Sequence, residues 1–401
     1  MLPRYHEIDA KSLTRVPGIV DPWFLARYGL NLYRGCEHGC LYCDGRAERY
    51  YVEGEFERDI VVKRNAAALL ERELGRAREP GFVMLGGGVC DAYQPADARF
   101  ALARGVLDVV LQRGLPVHVL TKSALVERDL DLLASIQQKC AAILSFSIQT
   151  VDDAVRRRFE PGAASVDERF RLLGLAKARG LGIGVMAMPV LPGISDQPEA
   201  IERLVARAAD AGVDFACFGG LTLRPGRQQD CYFAAIREGH AELVPGYERL
   251  YRQQRPSGQG VGSYYARVDE RFRGALARHG LPGRIPRRLF RGLLPLYAEA
   301  GVLLEHRGFA LGASVMQQAR TDGAVARGQE LARSGMAVQQ WARQAIARRG
   351  RSKEFSVAKL EAEFRAMVHD GSLAEACGLS AFALGELRAI LTLPRAAPRG
   401  S

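Results

Sequence analysis

From Leu30 to Gly220, short apolar runs alternate with amphipathic stretches, and this rhythm constrains the fold more than any other feature of the chain. Strands are expected at 30–33, 82–86, 117–121, 143–148, 183–188 and 213–218. Helices are expected between them at 65–78, 97–113, 127–138, 166–179 and 198–211. Strand–helix alternation at this spacing means βαβ units around a parallel sheet. Each strand reads as a nearly continuous apolar run, as it must when helices cover both faces. Gly114, Gly180 and Gly212 follow their helices in the manner of C-terminal caps. Periodicity alone leaves a (β/α) barrel and a doubly wound sheet both open; in either, ligands bind at the carboxyl ends of the strands.

The polar motifs fall at those ends. The first is Asn31-Leu-Tyr-Arg-Gly-Cys36-Glu-His-Gly-Cys40-Leu-Tyr-Cys43-Asp-Gly-Arg46, which places three of eight cysteines within eight positions, spaced C-x3-C-x2-C. Thiols this crowded in a chain without a secretion signal point to metal ligation rather than a disulfide framework. A closed structural site takes four protein ligands. Three thiolates on a four-iron cluster leave one iron open to chemistry, with His38 an awkwardly placed fourth ligand. A zinc knuckle and a redox-sensing thiol cluster are the alternatives. Gly86, Gly87 and Gly88 close the second strand, where glycine permits either a tight turn or close approach of backbone to a ligand. Lys122 ends the third strand, as a rim cation or a plain surface lysine. Ser145 and Ser147 alternate on the fourth and so share a face. Cys90 reads equally as a small buried hydrophobe. Arg224 and Arg227 lie beyond the sixth strand, suited to a phosphate, a carboxylate or a salt bridge.

With Tyr42 just before its last cysteine, the triplet resembles the signature of the radical S-adenosylmethionine (SAM) enzymes, and the run from Tyr33 to Cys43 is similar to that of the spore photoproduct lyase family. The resemblance extends through Phe159-Glu160-Pro161, the stretch from Met188 to Asp196 and the stretch from Gly219 to Arg227, covering about 31–251. It implies an α/β fold, a partial, open-sided (β/α)6 barrel with a mainly helical C-terminal extension. It also implies a [4Fe–4S] cluster on Cys36, Cys40 and Cys43. SAM would be held by Gly86, Gly87, Gly88, Lys122 and one of Ser145 and Ser147. Cys90 would be a hydrogen-atom donor, although the family's donor aligns with Gly88, and Tyr42 a member of a radical relay. The relay's second tyrosine is replaced here by Asp44. The implied activity is lyase-like radical chemistry on damaged DNA, with electrons from a donor such as flavodoxin or ferredoxin. A radical SAM enzyme acting on RNA, a peptide or a metabolite is the alternative, followed by a non-enzymatic zinc or iron–sulfur protein that binds nucleic acid.

The expected organisation is a lead-in over 1–30, the barrel over 31–255 and a basic helical region over 256–401, with helices at 264–279, 286–300, 325–349 and 357–368. The formal charge of +11 is concentrated at the end: from Val261 onward there are 22 Arg and Lys against 12 Asp and Glu. One basic group comprises Arg284, Arg287, Arg288 and Arg291, and another Arg343, Arg348, Arg349 and Arg351. Arginine excess suits nucleic-acid phosphate, and equally a generally basic proteome. No apolar run approaches the roughly 18–20 residues that span a bilayer. The polar N-terminus and the free cysteines lead to the expectation of a cytoplasmic protein.

Overall fold

The computed structural model describes residues 2–50, 53–314, 322–350, 352 and 354–394. The chain forms two compact units, one of Met1–Thr14, Gly29–Gly75 and Met84–Ile285, the other of Arg15–Tyr28, Arg76–Val83 and Pro286–Ser401. Its described strands are β1 (Arg4–Ile8), β2 (Thr14–Arg15), β3 (Ala26–Leu30), β4 (Tyr33–Arg34), β5 (Asp59–Lys63), β6 (Phe82–Leu85), β7 (Val117–Thr121), β8 (Ala142–Ser147), β9 (Gly182–Val190) and β10 (Phe215–Gly220).

The main sheet runs β10-β9-β8-β7-β6-β3-β2. From β3 to β10 every neighbour is the next strand of this sheet in sequence, and β7, β8, β9 and β10 pair in parallel. A doubly wound sheet reverses its order at a switch point. This one does not reverse, so the winding is that of a barrel, with β10 and β2 as its two ends. The six expected strands are β3 and β6 through β10. Every residue of β6 and β8 is buried, as parallel strands covered on both faces require. The backbone N–H of Ala216 in β10 donates to the Pro282 carbonyl (2.9 Å), which occupies part of an otherwise open strand edge.

The structure differs from the sequence reading in several places. The expected strand at 30–33 is divided: Leu30 ends β3, and Tyr33 begins β4 in a separate three-stranded sheet, β1-β5-β4. Residues 1–30 are not merely a lead-in, since β1 pairs in parallel with β5 from Arg4↔Asp59 to Ile8↔Lys63. The expected helix at 97–113 is broken at Ala101, whose φ of 48° is left-handed. The expected helix at 286–300 is a 3-10 turn at Arg287–Leu289, then Gly292 at φ 76°, and a helix beginning only at Leu296, just after Pro295.

The boundary expected between 255 and 256 lies inside the first unit, which continues through the helix Gly262–Arg278 to Ile285. Gly258 accepts from the N–H of Leu223 (2.8 Å), so this stretch is packed. In the second unit the helices Leu296–Ser314 and Asp322–Arg349 cross where Gly301 meets Gly335 and Gly308 meets Gly328. A Cβ on any of the four would lie within 2.7 Å of a backbone oxygen or a side chain. Of the two basic groups, Arg287 is paired with Glu299 and Arg349 with Glu363, and Arg351 lies outside the described residues.

Candidate active site

The cysteine loop begins where β4 ends. Gly35 and Gly39, both at positive φ, turn the backbone, and the N–H of Cys36 donates to the Phe56 carbonyl. Cys36 and Cys40 are buried and Cys43 is half-buried. Burial, then Asp91, Cys40 and Cys43, pushes the Cys36 thiol well above its usual range. Burial likewise takes Cys40 up to about 12 and raises Cys43. Among the described residues no three His, Cys, Asp or Glu side chains are gathered so as to hold a metal ion.

The Cys43 sulfur lies 3.8 Å from the Gly88 carbonyl, so the cysteine loop touches the glycine turn that follows β6. Gly86 has φ 87°, and a Cβ there would sit 2.0 Å from the Leu120 carbonyl. Glycine is thus required at Gly86 by its own packing. Gly87 and Gly88 are different: both are exposed, and a Cβ on either would meet nothing within 4 Å. Their backbone is bare toward open space beside Cys43.

Asp91 connects these parts. It accepts from the Thr121 hydroxyl (2.8 Å), from the backbone N–H of Lys122 (2.8 Å) and from that of Tyr93 (2.8 Å). His38, inside the cysteine loop, places Nδ1 3.7 Å from Asp91 without a hydrogen bond. Burial lowers the His38 pKa although Asp91 opposes it. Burial also works against the Lys122 charge, but Cys40, Glu160 and Cys43 outweigh it and hold that pKa above the ordinary amine value. Lys122 Nζ stands 5.8 Å from the centre of the Tyr42 ring.

Tyr42 donates its hydroxyl to Glu160, which also receives Arg169 Nη2 at 2.6 Å. Both members of that ion pair are fully buried. Burial alone would raise the Glu160 pKa; Arg169 and Lys122 bring it below the usual carboxylate range. Arg169 also donates to the Ser147 carbonyl at the end of β8 (2.7 Å), which ties the carboxylate to the strand end.

The other expected site residues are placed as follows. The Ser145 hydroxyl is 2.8 Å from His118 Nε2, and Ser147 donates to the Met188 carbonyl (2.8 Å), so each hydroxyl already has a protein partner. Cys90 is buried, its sulfur 4.0 Å from the Asn31 amide oxygen, and burial raises its thiol to about 12. Arg224 pairs with Asp44 at 2.6 Å, and Asp44 also accepts from Thr222 (3.1 Å) and Gln228 (3.0 Å). Arg227 opens the helix Arg227–Gly239, its backbone N–H donating to Glu48 (2.8 Å). Sequence reasoning missed Asp91, Glu160 and Arg169 as parts of the site. The signals available were the place of Asp91 soon after the second expected strand and the family resemblance of the Phe159-Glu160-Pro161 stretch.

A family model for the radical SAM superfamily matches residues 30–205. An uncharacterised protein of Mycobacterium tuberculosis strain H37Rv is 35% identical over 254 residues, covering 62% of this chain and 74% of the relative. An uncharacterised protein of Methanocaldococcus jannaschii is 28% identical over 185 residues, covering 46% of this chain and 65% of that protein. Among solved structures, spore photoproduct lyase complexed with dinucleoside spore photoproduct superposes with a TM-score of 0.53 at 16% identity, covering 70% of this chain and 80% of that one. At that identity the likeness establishes a shared fold.

Proposed function

The chain belongs to the radical SAM superfamily, and from that premise we propose that it is an enzyme holding a [4Fe–4S] cluster on Cys36, Cys40 and Cys43 and binding SAM at the adjacent rim. When bound, this pair supplies a reductive cleavage of SAM to a 5′-deoxyadenosyl radical, which takes a hydrogen atom from the substrate. One observation carries the reading: the contact of Cys43 with Gly88 joins a loop of three thiols to a bare backbone edge.

The donors present are of the kind such a group takes, although their side chains are not gathered around one point in this structure. Three thiols lie in one loop, buried or half-buried, and the open space at Gly87 and Gly88 leaves backbone available to the amino acid end of SAM. Lys122 supplies a cation for its carboxylate, and Asp91 fixes the Lys122 backbone to the same turn. Glu160 keeps the Tyr42 phenol oriented and protonated beside Cys40, since burial and the neighbouring carboxylate push that phenol well above its usual range. Ser145 and Ser147, already bonded within the protein, are the weaker part of the assignment.

For the substrate we favour damaged DNA, as the resemblance to spore photoproduct lyase implies, with the basic C-terminal residues as phosphate contacts and a flavodoxin- or ferredoxin-type electron donor. In duplex DNA the lesion has to leave the base stack to reach the rim. Asp44 favours a second reading, radical chemistry on RNA, a peptide or a metabolite. The position of the family's second tyrosine is held by an Asp44–Arg224 ion pair and offers no phenol. The test is 5′-deoxyadenosine release by the reduced enzyme with ultraviolet-irradiated and with undamaged oligonucleotide. Release that rises with dose, together with lesion reversal, supports the DNA reading. Release indifferent to the lesion would move the assignment to the second.

A further inference from the structure

A cavity of about 320 Å³ opens beside the contact between the cysteine and glycine loops, lined by none of Gly86, Gly87, Gly88 and Lys122. Its lining includes Asn31, Arg34, Gly45, Arg49, Lys63 and Val89. Gly45 and Val89 belong to the two loops themselves: the Gly45 N–H points at the Cys43 sulfur (3.4 Å), and a Cβ on Gly45 would press into the Val89 carbonyl at 2.3 Å. The cavity is therefore fixed to the candidate active site by the contact that defines it.

Its charge is one-sided. Among the described residues three cations line it and no carboxylate does. Elsewhere in this unit several arginines are held by acids, as Arg46 is by Glu57, Arg104 by Asp129 and Arg128 by Asp97. Lys63 is the telling residue. It is only 8% exposed, and Nζ donates to the Asn31 carbonyl at 2.6 Å, a neutral partner. No ion pair among the described residues involves Lys63, Arg34 or Arg49. A buried ammonium that donates to a neutral carbonyl and not to a carboxylate is costly, and its pKa is lowered by burial first and also by the nearby Arg34 charge, against Cys90 and, more weakly, Glu73, which raise it. Such an arrangement is complementary to an anion that arrives from outside. Two guanidinium groups and an ammonium exceed what one carboxylate needs, and they match a phosphate, which accepts several charge-assisted hydrogen bonds. Tyr33 and Tyr50 also line the cavity. The Tyr33 hydroxyl is already engaged by Asp97 (2.6 Å) and is not available to a ligand.

We propose that the Arg34, Arg49 and Lys63 cavity is a phosphate-binding site, separate from the SAM rim. That the phosphate belongs to the substrate rests on the function proposed above; the anion site does not.

The test uses the full chain, purified and reconstituted without oxygen in buffer free of phosphate and sulfate, with calorimetric titration of inorganic phosphate and of a nucleoside 5′-monophosphate. Saturable one-to-one binding is expected, weakened at least tenfold in Arg49→Gln and in Lys63→Met. It should be unchanged in Arg179→Gln, a surface arginine that donates to a helix carbonyl. Arg49 is exposed, so its variant carries the test if loss of buried Lys63 prevents folding. Added SAM should leave phosphate affinity unaltered, which keeps this result distinct from success or failure of the radical reading. Competition by a dinucleotide lacking a terminal phosphate would identify a nucleic-acid diester as the source; competition by monoesters alone would identify a phosphorylated small molecule. Absence of saturable binding, equal weakening in Arg179→Gln, or displacement of phosphate by SAM would overturn the proposal.

Discussion

At the scale of single residues, two buried acids hold the candidate site together. Asp91 receives three donors from two loops, two of them backbone N–H groups. Stranding a buried donor costs about 1–3 kcal/mol, so Asp91→Ala is expected to lose at least ~2 kcal/mol in urea unfolding and to weaken SAM binding. An unfolding midpoint equal to wild type would contradict the bridging role. Glu160 is paired with Arg169 where neither reaches solvent. Removing one partner of such a pair costs roughly 3–5 kcal/mol, because the other charge stays buried, so Glu160→Gln should be the more damaging change. Its pH dependence follows from the direction of the shift. A carboxylate held below its ordinary pKa contributes stability that is fully present above that ordinary value, near ~4.3, and is lost as pH falls through the folded value. The gap between wild type and Glu160→Gln should therefore be constant above about pH 5 and shrink below about pH 4; a gap that widens in acid would refute the assignment. The sequence offered a place for each acid but not its partners, because a lone Asp or Glu in a loop reads as solvated. The pairing of Asp44 with Arg224 was equally hidden, since chain topology alone brings residues so far apart in sequence together.

At the scale of elements, the glycine turn after β6 separates structural from functional need. Gly86→Ala forces a Cβ onto the Leu120 carbonyl at a positive φ, whereas Gly87→Ala has open space to enter. Gly86→Ala should lower stability by more than ~2 kcal/mol through overpacking and backbone strain. Gly87→Ala should melt within ~0.5 kcal/mol of wild type, as surface substitutions do, while losing SAM affinity as the methyl group fills that space. Thermal melts and SAM titration of both variants check this; unchanged SAM affinity in Gly87→Ala would remove the turn from the site. Strands β6 through β10 of the main sheet were legible because burial on both faces leaves an uninterrupted apolar run; β2 and β3, short and only partly buried, were not. Nor were β1 and β5. Arg4–Ile8 is largely exposed with alternating polar residues, and Asp59–Lys63 is a short run ended by charges, so both blend into loop sequence.

At the scale of the whole molecule, the order of β3 and β6 through β10 establishes barrel-type winding, which periodicity had left open against a doubly wound sheet. The charge asymmetry was also legible, but its consequence was not. Two arginines of the basic groups, Arg287 and Arg349, are committed to Glu299 and Glu363, which leaves fewer charges for phosphate than the sequence count suggests. If three phosphates are neutralised, duplex affinity should fall ~40-fold between about 50 and 200 mM salt. Binding insensitive to salt would rule out backbone contacts. Among the described residues no helix is long and apolar enough to cross a membrane.

The central claim is that Cys36, Cys40 and Cys43 hold a cluster whose open position meets SAM at the Gly86, Gly87 and Gly88 rim. The most direct measurement is the electron paramagnetic resonance spectrum of the reduced, anaerobically reconstituted protein, with and without SAM, alongside an assay for 5′-deoxyadenosine. The account predicts a four-iron signal that changes on adding SAM, formation of 5′-deoxyadenosine, and loss of both in Cys40→Ala. Zinc in place of iron, or a cluster signal indifferent to SAM, would contradict it.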